Sequence, residues 1–231
     1  MLRRDQVCTD VEEFSQARVV TFINPYSLLK IEQAGVSLEA FDKICIDGMA
    51  LKLFLGLVYR DSTLQRLSFD FTSVAHTVFE RAAARGERGF ILGSDEASNA
   101  TFLARISDMF PGIDLAGRSG YFADAGELSQ TLESLSGSPY DFVVLGMGAV
   151  KQENAASALV DLGYRGRVYT CGGFIHQTAM SGGEYYPEWV DRYNLRFAYR
   201  MFKEPATVRR YLIDYPRAFG MLVLNIGKFR H

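Results

Sequence analysis

Histidine, cysteine and net charge are all scarce in this chain, and each scarcity closes a class of function. The three histidines, His76, His176 and His231, stand far apart, not at the spacing of metal ligands, and no GxSxG nucleophile elbow occurs. Metal hydrolase and serine hydrolase readings lose their support, and no metal is expected. The three cysteines, Cys8, Cys45 and Cys171, form no CxxC pair and are odd in number, which argues against a disulfide framework and fits a reducing compartment. A formal net charge of -2 over 231 residues argues against a chain built to bind nucleic acid. Long apolar runs are missing too, so no transmembrane helix is expected and any membrane contact is peripheral. Residues 1–13 carry charges early and lack the apolar core of a secretory leader.

What is present is ordinary for a packed globular protein, with 48% apolar and 23% charged residues. Short β-rich runs alternate with longer helical ones. Strands are predicted at 18–23, 44–46, 89–92, 113–115, 142–145 and 168–171. Helices are predicted at 24–33, 49–59, 71–85, 95–109, 125–135 and 150–162. This βα rhythm predicts an α/β fold, a Rossmann-like and mostly parallel sheet with helices on both faces. After Cys171 the character changes. Helices are expected at 189–202 and 206–215, broken around Glu204-Pro205, and 219–226 is apolar. The expected division is an α/β catalytic domain over 1–186 and a basic helical appendage over 187–231.

Two segments come close to nucleotide-binding motifs and fail. Gly112–Ser119 departs from the phosphate-binding P-loop by having Arg118 in place of lysine, and its middle reads as a strand. Gly146-Met147-Gly148 follows a strand and precedes a helix, but Lys151 stands where a dinucleotide fingerprint has its third glycine. An anionic ligand still suits a glycine pair at a helix N-terminus, while the nicotinamide-specific signature is missing.

Three segments fall at predicted carboxyl ends of strands, where open α/β sheets bind ligands. They are Thr21–Ser27 (TFINPYS), Asp47-Gly48 and Gly146–Glu153 (GMGAVKQE). Asp47 follows an apolar strand, so partial desolvation suits it to general-base work; it fits a helix N-cap equally well. Asn24 offers an amide to a sugar hydroxyl or a uracil edge, or serves as a turn residue before Pro25. Gln152 and Glu153 lie in the first helical turn after the glycine pair. There Glu153 either favours the helix dipole or accepts from ribose hydroxyls.

Taken in order, these pieces resemble the WecG/TagA/CpsF family of bacterial glycosyltransferases (glycosyltransferase family 26). The resemblance rests on Asn24, Asp47-Gly48, Gly120-Tyr121-Phe122 and GMGAVKQE. It continues through Arg200–Pro205 (RMFKEP) and Arg209-Arg210-Tyr211, so it runs from about Val19 to about Tyr211. It implies inverting transfer of a sugar from a UDP-sugar to a polyprenyl-diphosphate-linked acceptor, without a metal and with no cofactor besides the donor. On this resemblance Asp47 maps onto the general base. Thr21, Asn24, Gly146, Gly148, Gln152 and Glu153 map onto the nucleotide-sugar pocket, and Arg200, Arg209 and Arg210 onto the groups that reach the diphosphate. Departures touch the donor pocket: Val150 stands in place of a proline, Glu184–Trp189 lacks an arginine, and 66–70 lacks a glycine.

The chemistry is coherent. A base must take the acceptor's proton, and something must stabilise the departing diphosphate. With no DxD metal motif, guanidinium groups are the expected source of that stabilisation. The C-terminal stretch 209–231 adds Arg217, Lys228 and Arg230 to Arg209 and Arg210 against Asp214, around apolar residues. That pattern fits either peripheral contact with an anionic membrane surface at its cytoplasmic face or a helix docked on the core. A homo-oligomer is compatible with all of this. The competing readings are a non-catalytic nucleotide-sugar-binding subunit of a polysaccharide assembly complex and a nucleotide-dependent oxidoreductase.

Overall fold

The computed structural model describes residues 2–181 and 206–225, together with 190, 192, 199 and 201. Six strands form one all-parallel sheet: β1 (Val19–Ile23), β2 (Lys43–Ile46), β3 (Arg88–Gly93), β4 (Asp114–Arg118), β5 (Phe142–Gly146) and β6 (Arg167–Thr170), in the order β2-β1-β6-β5-β3-β4. The helices are α1 (Val11–Gln16), α2 (Pro25–Ala34), α3 (Met49–Tyr59), α4 (Val74–Arg85), α5 (Glu96–Met109), α6 (Ala125–Ser136), α7 (Lys151–Asp161), α8 (Phe174–Ser181), α9 (Ala206–Arg209) and α10 (Tyr215–Leu224). A π-helical turn, Arg210–Asp214, joins α9 to α10.

Strands β1 and β5 are buried along their whole length because both faces are covered, as parallel sheets require. Alternation along them divides the core in two. Val19, Ile23, Ile44, Val143 and Leu145 pack under α2, α3, α6 and α7. Val20, Phe22, Cys45, Phe142 and Val144 pack on the other face with Phe14, Phe79, Phe102 and Phe174. All three cysteines are buried free thiols.

The expected α/β architecture is the observed one, and the predicted elements through Cys171 are all present. Two short helices, α1 and α8, were not anticipated. The segment 113–115 is a full strand shifted to Asp114–Arg118. Arg118 in it pairs with Glu127 at 2.8 Å instead of heading a phosphate loop. The helix expected at 206–215 continues through the π-turn to Leu224, and Pro216, which lacks an N–H, falls directly after that turn, where the regular i→i−4 ladder is already interrupted. Ala218 and Leu222 are buried, and Phe219 meets Phe54 of α3 edge-to-face at 5.8 Å. The apolar C-terminal helix is therefore docked on the face that carries α2 and α3. The helix expected at 189–202 and the boundary at 186/187 lie outside the described residues.

Chain direction diverges between β3 and β5: β3 leads outward to β4, while β5 leads back to β6. Ligands bind at the carboxyl ends of strands flanking such a point. The backbones there approach closely. Gly93 is the register partner of Gly146, and a Cβ on Gly93 would come within 2.5 Å of the Gly146 carbonyl oxygen.

Candidate active site

The carboxyl ends of the strands open into a cleft of about 1170 Å³. Its floor spans the sheet, from Asp47 after β2, past Asn24 after β1, to Gly146–Gly148 after β5 and Ser94-Asp95 after β3. The π-turn closes one side, contributing Arg210 and Tyr211.

Asp47 leaves β2 with its N–H bonded to the Ile23 carbonyl, which fixes where its side chain emerges. Gly48 follows at φ +123°, a backbone conformation closed to residues with a Cβ, and so turns the chain sharply into α3. Asp47 is therefore not the N-cap of α3; Gly48 is. Its carboxylate is half-buried, and Arg66 lies 3.7 Å away. Arg66 also lines the cleft. A carboxylate held at a cleft wall beside a guanidinium is equipped to take a proton next to a site that stabilises negative charge.

Asn24 does serve as a helix cap. Its amide oxygen accepts from the Ser27 N–H at 3.1 Å, while the Asn24 N–H donates to Ser27 Oγ at 2.8 Å. With the oxygen engaged, the side chain offers its amide nitrogen to a ligand. Tyr26, the second residue of α2, carries the Arg210 guanidinium over its ring at 4.3 Å and Lys30 Nζ at 5.5 Å.

Thr21 and Glu153 are placed differently from a ligand-contacting pair. Both are fully buried, beneath the floor rather than in the cleft. Glu153 Oε1 accepts from Thr21 Oγ1 at 3.1 Å and from Gln152 Nε2 at 2.8 Å; Oε2 accepts from the Val150 N–H at 2.6 Å. Thr21 also meets Thr170 Oγ1 at 2.8 Å, tying β1 to β6. Burial pushes the Glu153 carboxyl above its ordinary range, opposed by these three donors. Gln152 reaches the cleft, and its Oε1 accepts from the Gly172 N–H at 3.1 Å. The Gln-Glu pair thus couples the loops after β5 and β6.

The same network holds Val150 at φ 77°, ψ -54°, close to a γ-turn that β-branched residues rarely adopt. Strain of this kind costs about 1–3 kcal/mol and persists where surrounding bonds fix it. The Val150 N–H bond to Glu153 is one that a proline at this position would lack. Gly146 makes room for protein, not ligand, because a Cβ there would press on Ile175 and Cys171. Gly148, at φ +80° with open space around it, lines the cleft without such a contact.

At the far end Asp95 caps α5, accepting from the Ser98 N–H at 2.9 Å and from Ser98 Oγ at 2.7 Å. These bonds, the backbone one foremost, hold its carboxyl below the usual range. His176 Nδ1 lies 3.2 Å from Ser98 Oγ, but the hydroxyl donates to Asp95, so the trio is not a nucleophile with its base. Cys171 borders the cleft as a thiol that burial pushes up to about 12, which keeps it protonated and unreactive at neutral pH.

Of the arginines expected at the diphosphate, Arg210 lines the cleft. Arg209 is exposed and outside the cleft-lining set, and Arg200 lies outside the described residues. Sequence reasoning passed over Arg66, Asp95 and His176. Arg66 carried a signal, its place four residues before Asp70; Asp95 carried one only as a cap of the helix predicted at 95–109, and His176 carried none. Among the described residues, no group of three or more His, Cys, Asp or Glu side chains comes together as metal ligands.

A family model described as the glycosyl transferase WecG/TagA/CpsF family matches residues 1–231. The chain is 34% identical over 200 residues to a UDP-Gal:alpha-D-GlcNAc-diphosphoundecaprenol beta-1,4-galactosyltransferase of Shigella boydii, covering 86% of this chain and 83% of that one. It is 27% identical over 184 residues to an N-acetylglucosaminyldiphosphoundecaprenol N-acetyl-beta-D-mannosaminyltransferase of Bacillus spizizenii, covering 76% of this chain and 66% of that one.

Proposed function

The chain belongs to the WecG/TagA/CpsF family of glycosyltransferases, and from that premise we propose that it moves a hexose, N-acetylmannosamine-type or other, from a UDP-sugar to a polyprenyl-diphosphate-linked acceptor. The two relatives act, by their names, on diphosphoundecaprenol-linked acceptors, which supports the acceptor class. Assembly of bacterial cell-surface polysaccharide is the corresponding role, and the inner face of the cell membrane the corresponding place. No described helix is long and apolar enough to cross a membrane.

In this reading Asp47 is the general base. It removes the proton of the acceptor hydroxyl as that oxygen attacks the anomeric carbon from the face opposite the departing UDP, which inverts the configuration. The observation that carries the reading is the half-buried Asp47 carboxylate facing Arg66 across 3.7 Å in the cleft. Arg66 and Arg210 stabilise the charge that grows on the diphosphate, so the transfer runs without a metal. Gly148, Gln152 and the Asn24 amide nitrogen contact the donor. Thr21 and Glu153 hold Gln152 and the Val150 turn in place from below. The basic C-terminal stretch brings the enzyme to the anionic membrane surface where its acceptor resides.

Thermal unfolding with UDP, UDP-galactose and UDP-N-acetylmannosamine, followed by transfer to a short-chain lipid diphosphate sugar, tests the proposal. UDP is expected to raise Tm and one donor to be consumed. A UDP-dependent Tm shift without turnover on any acceptor would favour a binding subunit instead.

A further inference from the structure

Helix α3 begins two residues after Asp47, and its outer surface is apolar where solvent-facing helices are polar. Leu53 is 57% exposed and Leu57 is 81% exposed, one turn apart on the same stripe. Phe54 lies beside them and meets Phe219 of α10 at 5.8 Å. One turn beyond Phe219, on its side of α10, Val223 is 56% exposed, and Leu224 next to it is 87% exposed. The ring contact therefore joins two exposed apolar stripes into one surface. Neither helix contains an aspartate or glutamate; Lys52 and Arg217 lie within them and Arg60 follows α3, while the acids at their ends, Asp61 and Asp214, are paired with Arg4 at 2.5 Å and with Lys30 at 3.9 Å. An apolar surface flanked by cations complements an anionic lipid surface, with leucines entering the acyl boundary and the cations meeting phosphates.

We propose that α3 and α10 together form the face that seats on an anionic bilayer, with Leu53 and Leu57 inserted. This rests on the reading that the acceptor is a membrane lipid. From Met49 to Leu57 the helix axis rises about 12 Å, so a lipid diphosphate leaving the bilayer beside α3 reaches Asp47 without being extracted. The C-terminal helix then shares the anchoring with the helix that starts at the catalytic aspartate, and docking orients the cleft as well as tethering it.

Sedimentation of the full chain with vesicles of phosphatidylcholine and phosphatidylglycerol tests this. The Leu53→Ser/Leu57→Ser pair is expected to lower vesicle partitioning about tenfold or more with Tm unchanged, because both side chains are solvent-exposed. Lys52→Glu/Arg217→Glu is expected to weaken binding only when phosphatidylglycerol is present. A polarity-sensitive dye on Leu57→Cys should shift to the blue on vesicles, and one on Ala84→Cys, on the opposite face, should not. Unchanged partitioning of the leucine pair, or an unshifted dye at position 57, overturns the proposal. A leucine pair that converts a dimer to a monomer without altering partitioning would assign the face to a second copy of the chain. Transfer to a water-soluble short-chain acceptor separates the two readings. The leucine pair should keep it while losing transfer to vesicle-embedded acceptor; if no protein transfers to either, the enzymatic reading fails and the vesicle result stands alone.

Discussion

Two acidic side chains stand near the carboxyl ends of this sheet, and they do opposite things. Asp47, after β2, is half-exposed in the cleft beside Arg66. Glu153, in the first turn of α7 after β5, is fully buried, with its oxygens engaged by Thr21, Gln152 and Val150. One carboxylate has an open side where a proton can arrive; the other has none. The difference separates the carboxylate proposed as the base from one that keeps a loop in shape, and it rests on solvent access.

The largest expected effect falls on the open member. Asp47→Asn should lower kcat by about 10²–10⁴-fold, the range for loss of a general base, with no change in Tm. Glu153→Ala should show the reverse pattern. Three donors lose their acceptor inside the core, so stability falls by about 2–4 kcal/mol in a denaturant titration, and activity falls only as the Val150 turn loosens. If Glu153→Ala keeps its stability and loses turnover, the contrast between the two carboxylates breaks.

Arg66 sharpens the comparison from the open side. Arg66→Ala should slow turnover by about 10–100-fold, with partial recovery in Arg66→Lys, which keeps the charge but not the fork. The smallest effect concerns pH. Because burial raises the Glu153 carboxyl above its ordinary value, the folded state favours the protonated form more than the unfolded state does. Its stabilising share is present below the unfolded value and is lost as pH rises through the folded one. The stability of Glu153→Gln relative to the unsubstituted protein should therefore improve from acidic to neutral pH, in Tm measured across that range. A flat difference would mean that the network fully compensates burial.

How much of this was legible in the sequence depended on whether a residue's neighbours lay along the chain. The apolar run predicted as a strand at 142–145 announced a buried strand, and Asp47-Gly48 announced a strand's carboxyl end, while the φ of +123° that turns the chain at Gly48 came only with the structure. The side of the floor on which Thr21 and Glu153 stand was not legible. It depends on strand register and on a helix over a hundred residues away, which brings Glu153 Oε1 to 3.1 Å from Thr21. His176 was discounted for want of a second metal ligand, and its place beside Ser98 exists only because α8 packs on α5. The docking of α10 through Phe219 was one of two open readings, since an apolar face alone does not say what covers it.

The central claim is that Asp47 acts on a bound UDP-sugar without being needed to bind it. Measuring the UDP-induced Tm shift and the transfer rate side by side, for the unsubstituted protein and for Asp47→Asn, tests it most directly. The account predicts equal UDP shifts with transfer lost in the variant; full turnover by Asp47→Asn would contradict it.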